Sequence, residues 1–162
     1  MSHPAQIRIL AAAEVDYEAA RAWQIATAAE VRAAREAPSD RAVEALALIE
    51  HAAVYTMGAR GGRATLRLPQ EALPAPLVDT DRGGDITWHG PGQLVAYPIL
   101  DLRRRGFGAA EYIEALEGTL LDTLAAFGIA AELTEGRRGV WIGNEKIAAL
   151  GISVRGGVSM HG

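Results

Sequence analysis

Apolar and polar positions alternate over Gln6 to Leu10 as in a short strand, and the period then lengthens. From Asp16 to Glu36 the chain is rich in Ala, Glu and Arg, with Val15, Ala19, Trp23, Ala26 and Ala34 near helical spacing, which predicts a helix. Pro38-Ser39-Asp40 predicts its end. Val43 to Ile49 and Val54 to Gly58 are apolar runs of strand length. Gly58 to Gly62 and Pro69 to Pro76 punctuate a long connection, a form that often carries function.

Leu77 to Thr80 and Ile86 to Trp88 read as strands on either side of a Gly83-Gly84 turn. Leu94 to Leu102 is strand-like, and Pro98, which has no amide donor, predicts an edge or a bulge. The clearest helix is Ala109 to Phe127, with Tyr112, Ile113, Leu116, Leu120, Leu124 and Phe127 on one face, Glu111 in the first turn and Gly128 to end it. Ile129 to Leu133, Val140 to Ile142 and Lys146 to Val154 follow as strands, the last two flanking Gly143-Asn144-Glu145 as in a hairpin. Strands, a helix and more strands predict an α+β fold with a mixed or antiparallel sheet and packed helices, not a doubly wound parallel sheet. No internal repeat is visible, and residues 1–162 read as a single domain.

Composition narrows the function classes. An apolar share of 49% with 22% charged residues suits a globular domain, but much of the apolar share is alanine, so the core depends on Leu, Ile, Val and Trp. A net charge of −4 without a long block of one sign argues against nucleic-acid and membrane partners. Arg103-Arg104-Arg105, the densest basic run, reads as a solvated loop. Met1 to Ala13 holds no apolar run long enough for a signal peptide, and no window of about eighteen apolar residues occurs, so a cytoplasmic protein is expected. The absence of cysteine removes disulfides, thiolate metal sites and the commonest covalent nucleophile for acyl transfer.

The densest chemistry lies in Arg82-Gly83-Gly84-Asp85-Ile86-Thr87-Trp88-His89-Gly90-Pro91-Gly92-Gln93, where four glycines and a proline surround Arg, Thr, His and Gln. Each glycine costs roughly 0.5–1 kcal/mol relative to alanine, so their concentration predicts backbone that turns sharply or approaches a ligand closely. Lys146 is the one lysine among 16 basic side chains. Lysine can lose its proton when desolvated, which arginine cannot, and the apolar run Ile147 to Ile152 favours a place for it at the rim of the core; a chance surface position is the alternative.

His51, His89 and His161 sit at strand ends, but no His pair at i,i+4 and no tight cluster occurs, so no metal is expected. For His51 a backbone hydrogen bond near a turn is the preferred reading. Gly58 to Gly62 lacks the Gly-Lys-Ser/Thr ending of a phosphate loop, and without a Gly-x-Ser-x-Gly elbow Ser153 and Ser159 have no claim as nucleophiles.

These residues together resemble the lipoyl(octanoyl) transferase family. The likeness runs in order through Glu50-His51, Tyr55 to Gly58, Arg82 to Gln93, Tyr97 to Leu102, Gly139 to Trp141, Lys146 to Gly151 and His161-Gly162. The Arg-Gly-Gly-x-x-Thr-x-His-Gly-Pro-Gly-Gln pattern is long enough to separate this family from lipoate-protein ligases. Ala52-Ala53 stands where the family carries Pro-Pro, a change that loosens a turn.

The resemblance implies a catalytic domain of the biotin and lipoate ligase type. It implies transfer of an octanoyl group from acyl carrier protein to a lysine of lipoyl domains, those of 2-oxoacid dehydrogenases and the glycine cleavage H protein, without a cofactor. Arg82, Gly83, Gly84, Asp85, Ile86, Thr87, Trp88 and His89 would line the acyl tunnel with Ala149, Leu150, Gly151 and Gly162. Lys146 matches the lysine that partners the family's acyl-accepting cysteine, where an ammonium stabilises a thiolate and a neutral amine can take a proton. That cysteine is implied about twenty residues beyond the His-Gly pair, so the expectation is a sequence truncated before its nucleophile. An ATP-dependent lipoate ligase and an inactive fragment that binds an acyl chain or a lipoyl domain are the alternatives. Arg103 to Arg105 or Arg137-Arg138 would supply a positive rim for acidic partner proteins.

Overall fold

The computed structural model describes residues 6–36 and 43–162. They divide into two compact units, Met1–Arg104 with Gly151–Gly162, and Arg105–Leu150.

The first unit is built on a three-stranded sheet in the order β1-β2-β6, with β1 at Gln6–Val15, β2 at Val43–His51 and β6 at Val95–Ile99. β1 runs parallel to β2 and β6 antiparallel to it. β1 is longer than the alternation over Gln6 to Leu10 predicts: pairing with β2 carries the extended backbone on to Val15, opposite His51. Pro98 pairs opposite Leu46 on an edge strand, where a residue without an amide donor is tolerated.

Helix α1, Tyr17–Ala33, starts where the Asp16 carboxylate accepts a hydrogen bond from the Ala19 amide at 2.9 Å. The break expected at Pro38-Ser39-Asp40 lies outside the described residues. Tyr17, Ala20, Gln24, Thr27, Ala28 and Val31 are its buried stripe. Ala20 packs with Ala47, Ile49 and Tyr97, and Ala28 with Ala45 and Ile99. Alanine on both surfaces lets helix and sheet approach closely, while Ile99, fully buried, contributes roughly 1.5–3 kcal/mol.

A second sheet in this unit has the order β4-β3-β5, with β3 at Val54–Met57, β4 at Leu77–Asp79 and β5 at Ile86–His89. The two strands flanking Gly83-Gly84 are therefore not partners: β3 lies between them, parallel to β4 and antiparallel to β5. Loop 80–85 bridges across the end of β3, tied by Thr80 N to Met57 O at 2.9 Å and Gly58 N to Asp85 O at 3.2 Å.

In the second unit, α3 at Ala109–Ala126 accompanies an antiparallel sheet in the order β7-β8-β9, formed by Glu132–Thr134, Arg137–Ile142 and Glu145–Ala148. Gly128, at φ +73°, follows the helix end as expected. The predicted face of α3 is poorly covered: only Tyr112 is buried in this helix, and Phe127 is 78% exposed. The β8-β9 hairpin turns at Gly143-Asn144, as the sequence predicts.

Lys146 to Val154 is not one strand. β9 ends at Ala148 and a new strand, β10 at Ile152–Arg155, pairs with β11 at Val158–His161 through a Gly156-Gly157 turn with both glycines at positive φ. The break falls where the Gly151 amide is taken by Gly162 O at 2.6 Å and Ile152 O accepts from Gly83 N at 2.8 Å. Arg103 to Arg105 likewise forms part of a helical turn, α2 at Leu102–Arg105, instead of a loop. Among the described residues no helix is long and apolar enough to cross a membrane.

Candidate functional site

Arg82 organises the glycine-rich segment from within. Its side chain is buried, and all three guanidinium nitrogens donate to the protein. Nε and Nη2 reach Thr56 Oγ1 at 3.1 and 2.8 Å, Nη2 also reaches Thr56 O and Asp85 O at 2.7 Å each, and Nη1 reaches Gly83 O at 2.9 Å. Backbone carbonyls of a sharp loop are thereby satisfied by one cation. Gly84, at φ +93°, permits the turn, and Gly58 gives space: a Cβ there would collide with Gly84 O.

From Arg82 a directed chain of hydrogen bonds leads outward. Thr56 Oγ1 accepts from Arg82, and its own proton has two acceptors within reach, His89 Nε2 at 3.2 Å and the more distant Thr87 O at 3.5 Å. His89 Nδ1 donates to Gln93 Oε1 at 2.6 Å, and Gln93 Nε2 donates to Trp88 O at 3.2 Å. Because Gln93 Oε1 can only accept, the neutral imidazole carries its proton on Nδ1 and accepts at Nε2.

Two further histidines join this unit. His51 Nδ1 lies 2.9 Å from Val15 O, a group that can only accept, so this nitrogen carries the proton and Nε2 accepts from Tyr97 Oη at 2.7 Å. The backbone role preferred for His51 is present, with Tyr97 added to it. His161 Nε2 meets Asp81 Oδ1 at 3.2 Å, and its amide donates to Gln24 Oε1 at 2.8 Å. His161 has φ +57°, uncommon for a residue with a side chain and typical of backbone held by its surroundings.

Tyr17 completes the group, with ring centroids 5.3 Å from His51 and 6.4 Å from His89, while His51 and His89 are 5.7 Å apart. Burial pushes all three histidines below their usual imidazole value and pushes the Tyr17 and Tyr97 hydroxyls up. Burial alone would raise Asp81, but the His161 hydrogen bond, aided by Arg155, holds its carboxyl below the usual range. Among the described residues no group of three or more His, Cys, Asp or Glu side chains could hold a metal ion.

Of the residues singled out from the sequence, Arg82, Gly83, Gly151 and Gly162 are brought together: a Cβ on Gly151 would sit 3.0 Å from Gly83 O and 3.2 Å from Arg82 Cδ. Gly84, Ile86, Thr87 and His89 are half-buried along the same segment, whereas Asp85 and Trp88 are exposed. Lys146, Ala149 and Leu150 belong to the second unit. There Lys146 is exposed rather than at a core rim, because β9 carries only one partly covered position, Ala148. Lys146 Nζ lies 4.8 Å from the Trp141 ring centroid, and the Arg137 guanidinium lies 3.5 Å from the same ring. Gly139, at φ +105°, leaves passage for the lysine stem: a Cβ would lie 3.3 Å from Lys146 Cδ and Cε.

A model of the lipoyl protein ligase A/B catalytic domain matches residues 18–162. The chain belongs to that family. Within this lipoyl ligase A/B family, an octanoyltransferase of Geobacter sp. (strain M21) is 52% identical over 119 residues, covering 74% of this chain and 56% of the relative. An octanoyltransferase of Geobacter sulfurreducens is 44% identical over 156 residues, 96% of this chain and 62% of the relative. The chain thus spans 56 and 62% of the length of these two relatives. Among solved structures, lipoate-protein ligase A bound with ATP superimposes with a TM-score of 0.63 at 14% identity, covering 98% of this chain and 65% of that one. A chain from the bi-partite lipoate protein ligase and E2 lipoyl domain structure of Thermoplasma acidophilum gives 0.64 at 15% identity, covering 98% and 60%. These likenesses show the α+β fold expected from the element order.

Tyr17, Thr56, Asp81 and Tyr97 join this cluster without having been singled out from the sequence. Asp81 adjoins the motif, and Thr56 and Tyr97 lie in segments that carry the resemblance, so position could have flagged them. Tyr17 had no such signal, since it reads as an ordinary first-turn helix residue.

Proposed function

We propose that this chain binds an octanoyl group and takes part in its transfer from acyl carrier protein to a lysine amine of lipoyl domains, among them those of 2-oxoacid dehydrogenases and the glycine cleavage H protein, in the cytoplasm. The observation that carries this reading is the extended likeness to octanoyltransferases, which includes the whole glycine-rich segment. Arg82 supports it: with every guanidinium nitrogen engaged by the protein, this arginine shapes the loop and is not free to hold a nucleotide phosphate.

The proposed acyl wall in the first unit is Arg82 to His89 with Gly151 and Gly162, its glycines leaving backbone open to an aliphatic chain; Ala149 and Leu150, implied by the same resemblance, belong to the second unit. Enclosing an aliphatic chain contributes up to about 0.8 kcal/mol per methylene. In the transfer the thioester C–S bond breaks, the amide C–N bond forms, the amine loses a proton and the departing thiol regains one. A group that takes and returns that proton is needed, and we assign it to Lys146. In the two-step route implied by the resemblance, a cysteine carries the acyl group in between, and an ammonium at Lys146 favours its thiolate. None of these 162 residues is a cysteine.

Arg103 to Arg105 or Arg137-Arg138 is proposed as the positive rim for acidic donor and acceptor proteins. The test is incubation of the protein, expressed from its natural reading frame, with octanoyl carrier protein and an unmodified lipoyl domain. Octanoylation of the domain without ATP is expected. Modification that needs lipoate and ATP would establish a ligase instead, and binding of octanoyl carrier protein without any transfer would establish a binding fragment.

A further inference from the structure

In the first unit two buried polar atoms lack a hydrogen-bond partner, Tyr17 Oη and Gln24 Nε2, both on the inner stripe of α1. A buried donor without a partner costs on the order of 1–3 kcal/mol, and native structures keep few of them without a reason. Gln24 is half accounted for, since its oxygen holds the His161 amide. Tyr17 is not: the residue is 4% exposed, and no atom of the described residues accepts from its hydroxyl.

The neighbours of Tyr17 are all spoken for. Both His51 nitrogens are engaged, by Val15 O and Tyr97 Oη, and both His89 nitrogens by Thr56 and Gln93. Arg82 donates from all three nitrogens to Thr56, Gly83 and Asp85. The Tyr17 hydroxyl is therefore an uncommitted donor beside His51, His89 and Arg82, whose own side-chain nitrogens are all engaged. The stack on His89, itself half-buried, places it against the glycine-rich segment.

We propose that Tyr17 Oη donates a hydrogen bond to the carbonyl oxygen of the bound octanoyl thioester, which makes Tyr17 a substrate-contacting catalytic residue of this site. This rests on the acyl-transfer reading above. A thioester carbonyl supplies the acceptor that the protein withholds, and as the amine or thiolate adds to its carbon the oxygen gains negative charge, so a donor fixed in advance stabilises the transition state more than the ground state. Arg82 lies close enough to draw the phenol toward its charged form electrostatically, a field that also favours an oxyanion, while burial keeps the hydroxyl protonated and able to donate. The rings of His51 and His89 both lie against Tyr17, with centroids 5.3 and 6.4 Å away, and hold the phenol ring in place.

Tyr17→Phe tests this in the protein expressed from its natural reading frame. The expected result is a fall in kcat for octanoyl transfer on the order of 10²-fold, the size found for loss of one oxyanion donor, with KM for octanoyl carrier protein little changed. Thermal stability should hold or rise, because the variant removes an unpartnered buried hydroxyl. In parallel, the infrared carbonyl band of bound, carbonyl-labelled octanoyl carrier protein should move to higher frequency in the variant. Should Tyr17→Phe fold poorly, 3-fluorotyrosine at this position keeps the shape and makes a stronger donor, and the band should move the opposite way. Unchanged kcat together with an unmoved carbonyl band would overturn the assignment, as would a loss of stability with kcat intact. Wild-type protein that binds the thioester but never transfers it would refute the acyl-transfer reading alone, and the carbonyl band would still decide Tyr17.

Discussion

Thr56 Oγ1 stands 3.2 Å from His89 Nε2 and 2.8 Å from Arg82 Nη2, so a single hydroxyl couples the buried cation to the half-buried imidazole. It can do so because β3 lies between β4 and β5, which puts Thr56 opposite Thr87, two residues from His89 on β5. Thr56→Val keeps the shape and removes the hydroxyl. The expected cost is about 1–3 kcal/mol from the groups left unpaired, with Thr56→Ser close to wild type, as read by urea unfolding of both variants. Equal stability of the valine variant would show that the relay contributes nothing.

Acid should destabilise the protein at a defined place on the pH scale. His51, His89 and His161 are all held below the ordinary value of 6.5, burial being the largest cause at each. Between that value and their lower folded values the unfolded chain binds more protons than the native one, so stability rises with pH across this window. It is fully present above pH 6.5 and is lost as pH falls through the folded values. Asp81, held below its ordinary 3.8, adds a further loss at more acid pH. Unfolding free energies measured between pH 8 and pH 4 check the slope, and His51→Gln should flatten it.

Lys146 and Trp141 face each other across the β8-β9 pair, and the ring also carries Arg137. If Lys146 moves the proton, Lys146→Arg, which keeps the charge but cannot release a proton, should lower octanoyl transfer by on the order of 10²–10⁴-fold. Trp141→Leu should lower kcat less and broaden its pH profile, because the lysine loses the ring that orients it while keeping its amine. Full activity of Lys146→Arg would end its assignment.

Two glycines give a matched comparison. Gly84→Ala places a side chain at φ +93° and 3.3 Å from Arg82 Nη1, and should cost about 1–3 kcal/mol with loss of octanoyl binding. Gly62→Ala meets nothing within 4 Å and should stay within about 0.5 kcal/mol of wild type. Thermal midpoints and octanoate binding of the pair distinguish backbone demand from the mere presence of glycine.

The readable parts of the fold were those governed by local rules. Pro98 on an edge strand, Gly128 after α3 and the Gly143-Asn144 hairpin each follow from residue chemistry at that position. Lys146 to Val154 reads as one strand from its apolar run, which gives no sign that Gly151 and Ile152 surrender their backbone groups to Gly162 and Gly83. The face of α3 was readable as periodicity, yet periodicity says nothing about whether a neighbour covers it.

The sequence by itself determined the α+β class and marked Arg82 to Gln93 as a site, since both rest on spacing and on residues whose backbone preferences are intrinsic. Only the tertiary structure decided that Arg82 is a scaffold, that Thr56 links it to His89, and that Tyr17 is left with a free donor. The reason is physical: a hydrogen bond is assigned by who else competes for the same atom, and the competitors here come from residues as far apart as Val15 and His161. That competition exists only once the chain has folded.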